Sequence, residues 1–418
     1  MVKRFKKRIL GNRFIKRLVN LSLLSLVSVG INFSIIPILT RIFGSENFGE
    51  LGYFLSWVNI LAMVFSWRYE ASIVSEKDDD KAMFLGFSSY LLSTLTFVVL
   101  CVVFGLAYAL QLQPYGYALF AVVVGFIVNL GTISSNILNR KESTGTIGRS
   151  LIVRSFSANL TQLALGLNQL ISAFSLMIGR FVGELLTSLY LVISVLKKVE
   201  VPALGSVARV KSALKEKIDF PKYTLPATLT NRFREELPVI LLTAYFDPVV
   251  TGYYVVAKRL FSPIKFLTNS MKLVFYQRFS KPGIKLRNKI ILLYSFPLFI
   301  VVLLAIPSLA IYLIGPRAIT VYLGSEWTDS FYYMLLLLPG LVVKNAISTV
   351  GDAVFSLDKN RFGFIWSLVF LVGVFIAFYM GYKLEDAKAA YLGLSGVQVI
   401  MYTAYLVIIH NFTLKHNV

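Results

Sequence analysis

The stretch Asn231-Arg232-Phe233-Arg234-Glu235-Glu236 places four ionisable side chains within five residues, in the middle of an otherwise apolar run. That run is roughly 25 residues long, enough to cross a bilayer. Charge at bilayer depth costs from about 2.5 kcal/mol per residue upward, so such groups face a bundle interior or a wet cavity. On a helix Arg232 can pair with Glu235 or Glu236, three and four residues on. Arg234 lies about 200° round from Arg232 and is expected to answer other groups or a guest. Arginine grips two phosphate oxygens with a planar fork, and lysine adds a point charge. Pro238 removes one rung of the helical hydrogen-bond ladder and permits a kink beside the cluster, as Pro37 does in the first apolar run.

Further charges fall inside apolar runs. Arg68, Arg154, Arg180, Arg232, Arg234, Lys258, Arg259, Lys265, Lys272 and Lys344 stand against Glu70, Glu184, Glu235, Glu236 and Asp352. A network that existed only to neutralise itself would balance; the surplus of basic groups is expected to meet an anionic guest, a pyrophosphate or an acidic glycan. The substrate-binding candidates are Arg232, Arg234, Lys258, Arg259, Lys344 and Arg180. Glu235, Glu236, Asp352, Glu184 and Glu70 are candidates for ion coupling or charge pairing. Each has a plainer reading. Arg154, Lys272 and Arg68 lie near expected cytoplasmic ends and can snorkel to the interface, and Arg180 with Glu184 can form an i, i+4 structural pair. Tyr253, Tyr254, Tyr332 and Tyr333 suit an interfacial belt better than sugar stacking. No catalytic constellation, Walker loop, dinucleotide glycine pattern or zinc motif is present, so neither a cofactor nor a metal is expected. Cys101 is the single cysteine, and His410 and His416 sit near the terminus.

These charges need a scaffold of membrane helices. The chain has 418 residues, 56% hydrophobic and 15% charged, with mean hydropathy +0.71. The expectation is an all-α integral membrane protein of about twelve transmembrane helices, near 18–40, 50–75, 83–110, 115–138, 150–171, 174–196, 221–246, 249–276, 290–314, 330–355, 362–381 and 388–410. Loops assigned to the cytoplasm, with both tails, hold 28 Lys and Arg, whereas the opposite loops hold four, Arg41, Arg317, Lys383 and Lys388. That asymmetry, with the basic start MVKRFKKRILGNRFIKR, puts both termini in the cytoplasm. It also accounts for the net charge of +21 without nucleic acid. The acidic turn Glu76-Lys77-Asp78-Asp79-Asp80-Lys81 reads as a solvated turn. Residues 1–196 and 221–418 form two six-helix lobes joined by a basic cytoplasmic linker, 197–220, in which Ala208–Lys215 has the pattern of an amphipathic helix.

The halves repeat. Leu39–Gly49 aligns without gaps onto Leu242–Gly252 at an offset of 203, with Leu, Thr, Phe and Gly matching, and six spans per half make the repeat parallel. The stretch Pro37-Ile38-Leu39-Thr40-Arg41-Ile42-Phe43-Gly44-Ser45-Glu46-Asn47-Phe48-Gly49 resembles the signature of bacterial polysaccharide (O-antigen, Wzx-like) flippases of the MOP superfamily. Gly252–Leu260, Leu138-Asn139-Arg140-Lys141 and Tyr322–Trp327 are similar to further pieces of that family. The resemblance implies translocation of an undecaprenyl-pyrophosphate-linked oligosaccharide from the cytoplasmic to the outer leaflet of the inner membrane by alternating access. The expected partners are that anionic lipid-linked oligosaccharide, the bilayer, a coupling ion (proton or sodium) and a polysaccharide polymerase.

Two other classes remain. A multidrug-extrusion antiporter would favour acidic cavity groups, yet Asn32 is the strongest polar candidate in the first span. A membrane polysaccharide polymerase or ligase would carry a long external loop with catalytic residues, which the span pattern lacks. The expectation is a transporter rather than an enzyme.

Overall fold

The computed structural model describes residues 13–111, 116–200, 202, 207–281, 283–357 and 359–415. The basic start ahead of residue 13 and His416 lie outside these. The described chain is helical: α1 (Arg13–Val64), α2 (Asp79–Ala109), α3 (Ala118–Arg140), α4 (Thr144–Leu167), α5 (Ala173–Lys198), α6 (Val207–Glu216), α7 (Leu225–Tyr245), α8 (Pro248–Leu260), α9 (Ser262–Phe279), α10 (Leu286–Ile314), α11 (Pro316–Leu323), α12 (Ser330–Ser348), α13 (Asn360–Lys383) and α14 (Ala387–Lys415), with a few single turns between them. Among the described residues, eight helices are long and apolar enough to cross a membrane. The first of these runs 45 residues from Asn20 to Val64, room for two crossings. It breaks at Gly44, whose φ of 69° suits a residue without a Cβ. Helices satisfy every backbone group internally, the condition for a chain surrounded by hydrocarbon.

Three expected spans are broken. The span expected at 50–75 leaves the helix after Val64 and turns through Trp67 and Arg68, both at positive φ. The span expected at 249–276 is α8 and α9, separated at Phe261, where Pro263 in the first turn of α9 supplies no N–H. The span expected at 330–355 ends as α12 at Ser348, so Asp352 sits in a turn rather than inside a long helix. By contrast, α7 stays helical across Pro238 and the first limb of α1 across Pro37.

Packing divides the chain into two compact units, 1–35 with 54–232, and 36–53 with 233–418. Ile73, Ile133, Ile137, Leu138, Leu191 and Val195 belong to a core of the first unit. There the stretch Leu138–Lys141 has a mechanical role. The Arg140 guanidinium donates to the Ile73 and Glu76 carbonyls and to Asp79 Oδ1, tying the acidic turn to the end of α3. Asp78 caps α2 by accepting from the Asp80 and Lys81 amides, and Asp79 and Asp80 in the first turn complement the helix dipole.

The linker helix α6 also belongs to this unit. Lys217 pairs with Glu76 at 2.7 Å, Lys81 lies 3.9 Å from Glu216, and the Arg209 guanidinium lies 4.9 Å from the centre of the Phe84 ring. The Lys217 ammonium and the Lys77 and Asp78 amides hold the Glu76 carboxyl down to about 2. A carboxyl lowered on folding stabilises above its ordinary value and loses that contribution as pH falls toward 2. Docking of α6 is therefore expected to be indifferent to pH between 6 and 8 and to loosen in acid. The protection of amides 207–217, measured relative to their intrinsic exchange rates, should fall severalfold below pH 4, and Glu76→Gln should bring that loss of protection to pH 7.

The second unit carries the repeat in three dimensions. Thr40 back-bonds to the Ile36 carbonyl at 3.0 Å, and its counterpart Thr243 bonds to the Val239 carbonyl at 3.0 Å. Gly44 breaks α1, and its counterpart Asp247 caps α8 by accepting from the Val249 amide. A Cβ on Gly49 would collide with the Pro248 carbonyl, and one on Gly252 with the Ser45 carbonyl. Ser45 and Pro248 are themselves repeat partners, so the crossing is reciprocal. Around it, Trp327 donates to the Thr40 carbonyl at 3.1 Å and Thr40 donates to the Leu323 carbonyl at 2.9 Å. The stretches Pro37–Gly49 and Tyr322–Trp327, far apart in sequence, thus form one packed element.

Candidate functional site

In the second unit, α7, α8, α12, α13 and α14 surround a small cavity of about 30 Å³. Arg234, Glu235, Pro238, Tyr254, Lys344, Phe370, Leu394, Gln398 and Tyr402 line it. Its volume suits about one ordered water. Lys344 reaches it from the middle of α12, with no ion-pair partner among the described residues. The Arg234 guanidinium lies 5.2 Å from the centre of the Phe370 ring, a cation–π contact that leaves its hydrogen-bonding edge available. Beside it, Lys258 of α8 stands 3.9 Å from the buried Glu236, and Lys265 of α9 stands 3.9 Å from Glu235. Four basic groups, Arg234, Lys258, Lys265 and Lys344, therefore accompany two carboxylates. At 3.9 Å neither pair is a tight hydrogen-bonded bridge, so both lysines can re-aim at modest cost.

The predicted residues distribute as follows. Arg234, Lys258, Lys344, Glu235 and Glu236 are brought together. Arg259 lies beside them in sequence, but its guanidinium rests 5.0 Å from the centre of the Phe48 ring. Arg232 is the last residue of the first unit's range, two positions ahead of Arg234 on α7. Asp352 pairs with Lys272 at 2.8 Å, which gives Lys272 a carboxylate partner instead of a free ammonium at an interface. In the first unit Arg180 pairs with Glu184 at 2.6 Å, the expected i, i+4 bridge, and Arg154 approaches the same oxygen at 3.8 Å. Glu70 is buried and accepts from Ser66 and Arg68 at a break between α1 and α2, where Trp67 and Arg68 adopt positive φ.

Tyr254, read from the sequence as an interfacial residue, lines the cavity, as do Gln398 and Tyr402, which escaped the sequence reading. The i, i+4 spacing of Leu394, Gln398 and Tyr402 on α14 was the available signal. Tyr253 and Tyr254 do not act as interfacial anchors: both are buried. Tyr254 meets Tyr391 edge to face at 6.0 Å, and the Tyr391 hydroxyl donates to the Val250 carbonyl. Tyr332, half exposed, keeps a surface position. Among the described residues no group of three or more metal-ligating side chains occurs.

Three comparisons bear on this arrangement. A family model described as "Polysaccharide biosynthesis protein" matches residues 15–282. No curated protein matches by sequence. Among solved structures, the chain is similar to the lipid II flippase MurJ in an inward closed conformation, at 14% identity and TM-score 0.71, over 93% of this chain and 87% of that one. It is also similar to an Asp-to-Asn variant of the Vibrio cholerae MATE transporter VcmN, at 11% identity and TM-score 0.58, over 96% of this chain and 97% of the other. A Pyrococcus furiosus MOP superfamily transporter, described as having a binding pocket of reversed polarity, gives 12% identity and TM-score 0.56 over 96% of both chains. At these identities the likenesses establish the fold, that of MOP superfamily transporters.

Proposed function

The chain belongs to the polysaccharide biosynthesis protein family, and from that premise we propose that it flips an undecaprenyl-pyrophosphate-linked oligosaccharide from the cytoplasmic to the outer leaflet of the inner membrane. The observation that carries this reading is the charge of the cluster around α7. Arg234, Lys258, Lys265 and Lys344 outnumber Glu235 and Glu236 by two, and a pyrophosphate diester carries about two negative charges. In the resting protein the carboxylates hold the lysines; when the pyrophosphate enters, the lysines turn to it and Arg234 offers its fork. Arg232, Arg259 and Arg180 are further candidates for contacts along the glycan.

Alternating access follows from the repeat. On this reading the reciprocal crossing of Gly49 with Pro248 and of Gly252 with Ser45 serves as the gate on the outer side of the transport path. Parting it while the inner side closes would pass the head group outward, with the lipid tail left in the bilayer. Glu235, Glu236 and Asp352 are the groups through which a proton or sodium ion would couple. A multidrug antiporter for cations fits the site less well, because a cationic guest would meet surplus positive charge there.

Complementation tests the proposal. In a strain lacking its own flippase, the wild-type chain is expected to restore surface polysaccharide, and Arg234→Gln at equal membrane abundance is expected to restore less than a tenth as much. One lost charge-assisted hydrogen bond, worth about 1.5–3 kcal/mol, sets that scale. Full restoration by Arg234→Gln would remove Arg234 from the site.

A further inference from the structure

The first unit holds a second cationic group that the pyrophosphate does not require. Helices α4 and α5 approach closely because α5 presents Gly179 and Gly183, spaced by four, to Ala158. A Cβ on Gly183 would come within 2.7 Å of the Ala158 Cβ and 2.9 Å of the Arg154 carbonyl. This contact sets Arg154 of α4 beside Arg180 and Glu184 of α5. Both guanidiniums converge on one oxygen, Glu184 Oε1, Arg180 at 2.6 Å and Arg154 at 3.8 Å. Glu184 is buried, while a third of each arginine side chain stays open. The Arg180 Nε–H is itself buried without an acceptor. Two guanidiniums on one carboxylate leave a single positive charge.

The open side of this trio does not face lipid. The exposed apolar residues of α4, Phe156, Leu160 and Leu167, lie roughly 200–240° round that helix from Arg154. Those of α5, Phe174, Leu186, Leu189, Ile193 and Leu196, lie roughly 120–240° round from Arg180. Each arginine is thus on the face opposite the hydrocarbon, which separates it from a snorkelling residue at a helix end.

We infer that Arg154 and Arg180, held by Glu184, form a subsite for a monoanionic group, the carboxylate of an acidic sugar in the transported glycan. The inference rests on the flippase reading and adds the class of glycan. Charge matching supports the assignment: this trio has a surplus of one, as one hexuronate supplies. Guanidinium forks suit a planar carboxylate, and Arg154, the weaker partner of Glu184, is the one free to turn to it.

The test uses the full chain in phosphatidylcholine nanodiscs. Binding is measured for two undecaprenyl-pyrophosphate trisaccharides of equal length, one with a glucuronic acid residue and one with glucose in its place. The wild type is expected to prefer the acidic glycan at least tenfold. Arg154→Gln and Arg180→Gln should each reduce that preference to about twofold or less. Glu184→Gln should keep or increase it, whereas a purely structural trio would lose binding in all three variants alike. Equal wild-type affinity for the two glycans would overturn the subsite alone. Absence of binding by either glycan would overturn the flippase reading and the subsite with it. Loss of the preference in nanodiscs that contain phosphatidylglycerol would assign the site to a lipid phosphate and overturn the sugar assignment.

Discussion

Replacing Gly49 or Gly252 by leucine is expected to abolish surface polysaccharide in a flippase-null strain while the protein still reaches the membrane. Each glycine faces a backbone carbonyl of its repeat partner's helix, Pro248 for Gly49 and Ser45 for Gly252. A carbonyl, unlike a side chain, cannot rotate out of the way, so the two helices would have to part. Overpacking of this kind costs typically 1–3 kcal/mol, and more where backbone is the obstacle. Gly52, one turn beyond Gly49, meets only the Val255 side chain. Gly52→Ala should therefore be milder than Gly49→Ala. Because Gly49 and Gly252 guard one crossing, the double leucine variant should fall no further than either single one. Polysaccharide blotting normalised to membrane abundance checks this, and normal polysaccharide from Gly49→Leu would contradict the proposed gate.

The second large effect is expected at Lys258 and Lys344. Converting both to methionine keeps chain length and removes two positive charges from the cluster. Two charge-assisted contacts at about 1.5–3 kcal/mol each predict a loss of a hundredfold or more in transport. Lys258→Met alone also leaves the buried Glu236 without its 3.9 Å partner. Lys258→Met with Glu236→Gln separates the two contributions. If the lysine serves only to neutralise the glutamate, the pair of changes should restore transport; if it serves the substrate, transport should stay low.

Much of this was legible in the sequence, for definable reasons. Apolar runs of bilayer length dictate helices, because lipid offers the backbone no other partner. The gapless offset of 203 between Leu39–Gly49 and Leu242–Gly252 pointed to the element that the structure shows as a reciprocal crossing. The i, i+4 spacing of Arg180 and Glu184 sufficed to foresee their bridge. Tertiary choices were not legible. Nothing local tells Lys272 to pair with Asp352, or sends the Arg259 guanidinium to Phe48 while Lys258 turns to Glu236. Tyr253 and Tyr254 have the composition of an interfacial belt, and only packing against Tyr333 and Tyr391 reveals them as core. The break between α8 and α9 carried a signal in Ser262-Pro263, but a proline in a membrane helix is tolerated too often to decide the matter.

The central claim is that the cationic cluster around α7 carries a pyrophosphate-linked glycan across the bilayer. Its most direct measurement is translocation of a fluorescent undecaprenyl-pyrophosphate trisaccharide in proteoliposomes, read by quenching from outside. The wild type should move the lipid-linked glycan and the Lys258→Met, Lys344→Met variant should move it at less than a hundredth of that rate. Equal rates in the two proteins, or movement of an organic cation in place of the glycan, would contradict the account.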